Sequence, residues 1–370
     1  MIALNDFRRQ WHDVRDAAFR EFNRVGESGR YILGSSLEIF ERALASLWRL
    51  RHCIGVASGL DAIEIALRAL GCRTGDRVLT TPVSAFATTL AIVKLGAVPV
   101  FVDVDDSGLI DLDACEGVLS SRGDVKFFLP VHLFGHALNG KRLRHLRTRY
   151  GLILVEDCAQ SIGADSEGEP AGTSGQCCAT SFYPTKNLGA MGDGGAILTS
   201  DDALQIRIRA LRDYGQTGKY RHEVIGYNSR LDELQAGLLA HVFLPRLEAW
   251  TARRRVIARM YVDSIHNPAL RIPEPPLGSR SVWHLFPVVT PPARKMNFRA
   301  HLAEHDIASG EHYPIAIPDQ SALSGVVIER ASDLACARRF CSSEVTLPVH
   351  PYLTDTEVSR VIEVCNGWPG

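Results

Sequence analysis

The sequence predicts an α/β protein: a sheet covered by helices on both faces, with a smaller second unit after it. Three observations lead there. Between about residues 52 and 200, short and nearly continuous apolar runs alternate with segments of helical spacing, the pattern of strands buried on both sides. After residue 230 this alternation gives way to a long helical stretch. The length, 370 residues, suits one large domain plus a smaller one.

The elements follow in order. HCIGVA (52–57) reads as a strand and LDAIEIALRAL (60–70) as a helix. RVLT (77–80) is a strand after a Gly-Asp turn, and AFATTLAIVKLG (85–96) a helix that stops at glycine. VPVFVDV (98–104), DVKFFLPV (124–131), LILVE (152–156) and GGAILTS (194–200) complete the strands. The stretch that starts at LDELQAGLL is helical, with Pro245 as a break or kink. PEPP (273–276) is a loop, HLFPVVT (284–290) a strand, and a helix start is signalled near Asn297. TDTEVSRVIEVC is a capped amphipathic helix near the end. The expected division is 1–245 and 246–370.

Composition excludes some functions. Forty-one basic residues against 42 acidic ones give a net charge of −1, so no bulk positive field draws nucleic acid or a membrane surface. The nine cysteines are scattered with no CxxC pair, which reads as reduced thiols in a cytoplasmic protein and gives no reason to expect a metal. Charge runs through residues 1 to 20, so no secretory leader is expected. No apolar run approaches the roughly 20 residues of a membrane span.

Four motifs carry chemistry. ASGLDAIE (57–64) is a strand, a Ser-Gly turn and a helix, whose first N–H groups suit a phosphate. EDCAQSIGA (156–164) puts Asp157 at the carboxyl end of a strand, where ligands of such sheets bind. An aspartate there can pair with a pyridinium nitrogen and keep an electron sink protonated, and Gln160 is three residues on. SFYPTKNLGAMGDGG (181–195) sets Lys186 among Phe182, Tyr183, Pro184, Leu188 and Ala190, poor company for a solvated charge. Burial activates a lysine amine as a nucleophile. GYNSRLDELQAG (226–237) leads polar residues into a helix, with Asn228 placed to cap it.

These motifs, with HLFGH, together resemble the DegT/DnrJ/StrS-type nucleotide-sugar aminotransferases, from about Gly29 to the last helix. The resemblance implies a type I pyridoxal-phosphate fold with a mixed seven-stranded sheet and a small C-terminal domain. It implies a homodimer whose active sites draw on both subunits. Carried over by residue, it makes Lys186 the lysine that forms a Schiff base with the cofactor and shuttles the proton. Asp157 becomes the pyridine-nitrogen partner, and Gln160 the neighbour of the ring hydroxyl. Ser181, Gly59 and Leu60 become phosphate donors, Asn228 a phosphate ligand of the neighbouring subunit, and Phe86 the aromatic stacked on the ring. The implied reaction is ping-pong: L-glutamate leaves its amino group as pyridoxamine phosphate, and a nucleotide-linked keto-sugar takes it up.

The motif set, with EHYPI (311–315), looks most like the branch acting on 3-keto sugars of dTDP. Tyr183, His312 and Tyr313 then match substrate positions, and Lys219 and Tyr220 a loop that meets the nucleotide across the dimer. One departure stands out: relatives have His-Leu-Gln where this chain has Pro318, Asp319 and Gln320. A 4-keto sugar on dTDP, UDP or GDP is the alternative substrate. A dehydratase relative would carry histidine in place of Lys186. A non-catalytic regulator would be expected to lose one of Lys186, Asp157, Gln160 and Ser181. A desulfurase would need a mobile-loop cysteine, and none of the nine stands in such a loop.

Overall fold

The computed structural model describes residues 1–370. Two helices, α1 (Phe7–Ser28) and α2 (Ser35–Trp48), lead into an alternating series. It runs β1 (His52–Val56), α3 (Gly59–Ala69), β2 (Arg77–Thr80), α4 (Phe86–Lys94), β3 (Val98–Phe101), α5 (Leu112–Ser121) and β4 (Val125–Leu129). It continues with α6 (Gly140–Tyr150), β5 (Ile153–Asp157), β6 (Cys177–Ser181), β7 (Gly195–Thr199), α7 (Asp202–Arg212) and α8 (Glu233–Leu238). The C-terminal part holds α9 (Leu247–Ser264), β8 (Phe286–Val289), α10 (Lys295–Glu304), β9 (Glu329–Arg330), α11 (Ala335–Ser343), β10 (Glu344–Leu347) and α12 (Asp355–Gly367).

The main sheet has eight strands in the order β1-β7-β6-β5-β4-β2-β3-β9. That is one more than the resemblance implies: the two-residue β9 returns from the C-terminal part and pairs parallel with β3. Only β7 runs against its neighbours, antiparallel to both β1 and β6. Strands such as Phe127–Leu129 and Val155 are fully buried, which explains their continuous apolar runs. A second core surrounds the antiparallel pair β8–β10, with Tyr261, Phe298 and Trp368 packed on it. Ile2 bridges to Ile307, so the first residues join this second core.

Pro245 falls where a helical breakdown is observed. Residues Leu239–Phe243 widen to a π turn and Leu244–Arg246 tighten to a 3₁₀ turn before α9 begins. The C-terminal helix has a full capping box between Thr354 and Glu357. Buried carboxylates tie the layers together. Glu233 accepts N–H bonds from Gly34, Ser36 and Leu37 at 2.8, 2.9 and 3.0 Å, capping α2 from 196 or more residues away. Glu156 accepts from Ser174 and Gly175 at 2.7 and 2.8 Å and meets His132 at 3.0 Å, which anchors β5 just before Asp157. No helix is long and apolar enough to cross a membrane.

Candidate active site

The carboxyl ends of β1, β5 and β6 open into one cavity of about 430 Å³. Register builds its floor. Gly195 at the start of β7 pairs with Val56 on one side and Ser181 on the other, so the turn after β1 comes to rest beside Ser181. This packing needs two glycines. A Cβ on Gly59 would stand 2.6 Å from the Ser181 Cβ, and one on Gly195 would stand 2.3 Å from the Ser58 oxygen. Ser58 caps α3 by accepting the Asp61 N–H at 3.1 Å. The N–H groups of Gly59 and Leu60 are the first of that helix and have no acceptor within it, so they are free, beside Ser181, to take an anion.

Sequence reasoning missed what holds this turn. Ser229, fully buried, accepts the Ala57 N–H at 3.0 Å and donates to Asp61 at 2.6 Å. Its neighbour Asn228 is exposed and lies outside the cavity of its own chain.

Asp157 is 3% exposed. Its Oδ1 accepts the Ala159 N–H at 3.0 Å and its Oδ2 accepts the Thr88 hydroxyl at 2.8 Å. Ser84 in turn meets Thr88 at 2.9 Å; with the Thr88 proton committed to Asp157, Ser84 is the donor. Burial pushes the Asp157 carboxyl up, opposed by these two donors and by Lys186. Gln160 accepts the Phe134 N–H at 2.7 Å and donates to the Tyr313 hydroxyl at 3.1 Å.

Lys186 sits in the loop after β6, on a turn in which its N–H donates to the Tyr183 carbonyl at 2.8 Å. Protein encloses its amine while the amine still opens to the cavity, so by accessible surface the residue is only half-buried. Burial brings its pKa down to about 8, with the Asp157 charge opposing. No carboxylate pairs with Lys186 at ion-pair distance, so its proton is held loosely.

Gly59, Leu60, Asp157, Gln160, Ser181, Tyr183, Lys186, His312 and Tyr313 all line this cavity. Four expected residues do not. Phe86 is half-buried against the core that contains Val83 and Leu285, while its neighbours Ala85, Ala87 and Thr88 face the cavity. Lys219 and Tyr220 sit on an exposed hairpin, with Tyr220 81% exposed, and Asn228 is placed as above. Pro318 and Asp319 form a short turn away from the cavity, where Asp319 pairs with Arg338 at 2.7 Å.

The structure adds Thr88, Arg254, His284 and Thr346 to the lining. Arg254 is buried without an acidic partner; its Nη1 donates to the carbonyls of Trp283, His284 and Val349. Asn187 donates to the Val282 carbonyl and meets His284 Nδ1 through its oxygen. Burial keeps His284 neutral, with Lys186 and Arg254 adding to the effect.

The arrangement fits a flat cation-forming ring that carries a phosphate. An anion cradle stands at one end, a buried carboxylate at the other, and an activated amine on the same cavity.

The comparisons point the same way. Residues 12–366 match the model of the DegT/DnrJ/EryC1/StrS aminotransferase family. The chain is 41% identical over 367 residues to the dTDP-3-amino-3,6-dideoxy-alpha-D-galactopyranose transaminase of Aneurinibacillus thermoaerophilus, covering 99% of each. It superposes with a TM-score of 0.94 on Streptomyces venezuelae DesV, solved in complex with a ketimine intermediate, at 37% identity over 99% of this chain and 98% of that one. A Bacillus subtilis structure, ntda with bound cofactor pmp, matches with a TM-score of 0.88 at 28% identity, over 95% of this chain and 81% of that one.

Proposed function

The chain belongs to the DegT/DnrJ/EryC1/StrS aminotransferase family, and from that premise we propose that it moves the amino group of L-glutamate to the keto carbon of a dTDP-linked 3-keto-6-deoxyhexose. The observation that carries the reading is the meeting of Lys186, Asp157 and the Ser58–Gly59 turn on one cavity. Pyridoxal phosphate, when bound, supplies the electron sink that lets one carbon release an amino group and another receive it.

The residues divide the work. Gly59, Leu60 and Ser181 hold the phosphate end. Asp157 binds the ring nitrogen, and the Ser84–Thr88 chain keeps that carboxylate aimed. Lys186 is the nucleophile; its lowered pKa leaves about a tenth of it as free amine at pH 7, against under a thousandth for an ordinary lysine, so it can take and return the proton at the reacting carbon. His312 and His284 are neutral hydrogen-bonding groups beside it, and Tyr313, tied to Gln160, closes that side. Tyr183, 53% exposed, stands on the cavity lining where the sugar enters.

Two identical chains sharing their active sites complete the proposal. The exposed Asn228, Lys219 and Tyr220 would then serve the neighbouring subunit's phosphate and nucleotide sites. The names of the A. thermoaerophilus and S. venezuelae proteins support the dTDP sugar.

The test is a panel of dTDP-, UDP- and GDP-linked 3-keto and 4-keto sugars with glutamate as donor. Amination of a dTDP-3-keto sugar is expected. Preference for a 4-keto sugar would move the assignment to the other branch, and turnover only with simple keto acids would overturn it.

A further inference from the structure

Glu344 is fully buried and forms no ion pair. Its nearest cation, Lys295, is spent on Glu311 at 2.5 Å and on the Cys341 carbonyl at 2.8 Å, and Arg299 also pairs with Glu311. A buried carboxylate without a counterion is costly, and only its hydrogen bonds offset that cost. Both of its oxygens point along one path to the cavity. Oε2 accepts the His312 backbone N–H at 2.6 Å, and Oε1 meets the Thr346 hydroxyl at 2.5 Å. The Thr346 oxygen meets His312 Nδ1 at 2.8 Å. Strand pairing fixes the geometry: Gly310 and Thr346 exchange backbone hydrogen bonds at 3.0 and 2.9 Å, which holds the 310–312 segment against β10.

Donor counting decides the direction. A carboxylate only accepts, so Thr346 donates its single proton to Glu344. Its oxygen is then free only to accept, and His312 Nδ1 must carry a hydrogen. A neutral imidazole protonated at Nδ1 has a bare Nε2. His312 lines the cavity and Nε2 has no partner in the protein. We propose that Glu344 and Thr346 are positioning residues that lock His312 with Nε2 as a hydrogen-bond acceptor, so that the site reads a hydroxyl donor on the sugar. This rests on the sugar-binding reading above; the lock itself does not.

The groups facing this chain are Lys186, His284 and Glu311 around His312, and Lys295, Glu311 and Tyr313 around Glu344. Burial keeps the His312 ring neutral, with Lys186 adding to the effect.

Two near-isosteric variants test the inference. In Glu344→Gln the amide oxygen accepts the His312 N–H and the amide nitrogen donates to Thr346. The threonine must then donate to Nδ1, which moves the ring proton to Nε2. Thr346→Ser keeps the wild-type direction.

At about pH 8.5, where Glu344 is a carboxylate, ¹⁵N NMR of ring-labelled histidine, assigned with a His312→Gln variant, is expected to show Nδ1–H in the wild type and in Thr346→Ser, and Nε2–H in Glu344→Gln. KM for the keto-sugar should rise about tenfold in Glu344→Gln, while the glutamate half-reaction stays near wild type. At that pH an Nε2-protonated ring in the wild type, or an unchanged tautomer in Glu344→Gln, overturns the lock. An unchanged KM beside an inverted tautomer overturns its role in reading the substrate. If the tautomers behave as stated and no nucleotide sugar is aminated, the lock stands and the sugar assignment falls.

Discussion

Thr88 donates its hydroxyl to Asp157 at 2.8 Å while taking a hydrogen bond from Ser84 at 2.9 Å. The carboxylate is thus held from one side by a two-hydroxyl chain and from the other by the Ala159 N–H. Removing the hydroxyl without changing size, in Thr88→Val, should weaken retention of pyridoxal phosphate by about tenfold, the worth of one buried hydrogen bond to a charged group. Fluorescence titration of the apoprotein checks this. Asp157→Asn should weaken it further and depress the glutamate half-reaction, because the charge that keeps the ring protonated is gone.

Lys186→Ala should fold normally and still take up the cofactor without a covalent link. Its visible absorbance should lose the band of the lysine-bound form, and turnover should vanish. A variant with normal absorbance and turnover would remove Lys186 from the mechanism.

The lowered Lys186 pKa has a pH signature. An ordinary lysine is almost wholly protonated below about pH 9. With burial bringing it down to about 8, the free-amine fraction grows as pH rises through that value and then levels. The rate of covalent recombination of apoprotein with pyridoxal phosphate should follow the same curve in stopped-flow absorbance. A rate still climbing steeply at pH 10 would contradict the burial argument.

Glu344 titrates in the opposite sense. Burial lifts its carboxyl from 4.5 to about 7, opposed by Thr346, the His312 N–H and Lys295. The charged form therefore prevails only above about pH 7. Protonation below that value lets Glu344 donate to Thr346, which reverses the chain. KM for the keto-sugar should rise as pH falls through about 7, and Glu344→Gln should show a high KM without that limb.

Glu233→Ala should destabilise the fold by about 3 kcal/mol, since three N–H groups at the start of α2 lose their acceptor. Urea denaturation of the holoprotein measures it. Glu233→Gln retains one acceptor oxygen and should lose less.

Lys186, Asp157 and Ser181 were legible because each is polar at the edge of an apolar run, a signal carried by immediate neighbours. The strand that ends in Ser181 was passed over, since CCATS has one β-branched residue, Thr180, and none of the valines and isoleucines that mark its neighbours. Thr88 and Thr346 gave no local signal: their partners Asp157 and His312 lie 69 and 34 residues away, and a threonine in a helix or strand looks ordinary. Phe86 shows the reverse error. It is an aromatic between cavity residues, yet it packs half-buried on the neighbouring core and does not line the cavity. In GYNSRLDELQAG the conspicuous Asn228 proved exposed, while the plain Ser229 and Glu233 hold the phosphate turn and the start of α2.

The pairing of β1 with β7 alone has a consequence for synthesis. A nascent chain makes His52–Val56 early, but the only neighbour of that strand in the sheet is made of residues 195–199. Until those residues leave the ribosome, β1 has an open edge and the turn after it rests on nothing. Ser229, which pins the turn, arrives later still. The phosphate end of the site therefore closes after most of the large sheet has been made, and such distant pairing slows folding and lengthens the exposure of an unpaired strand.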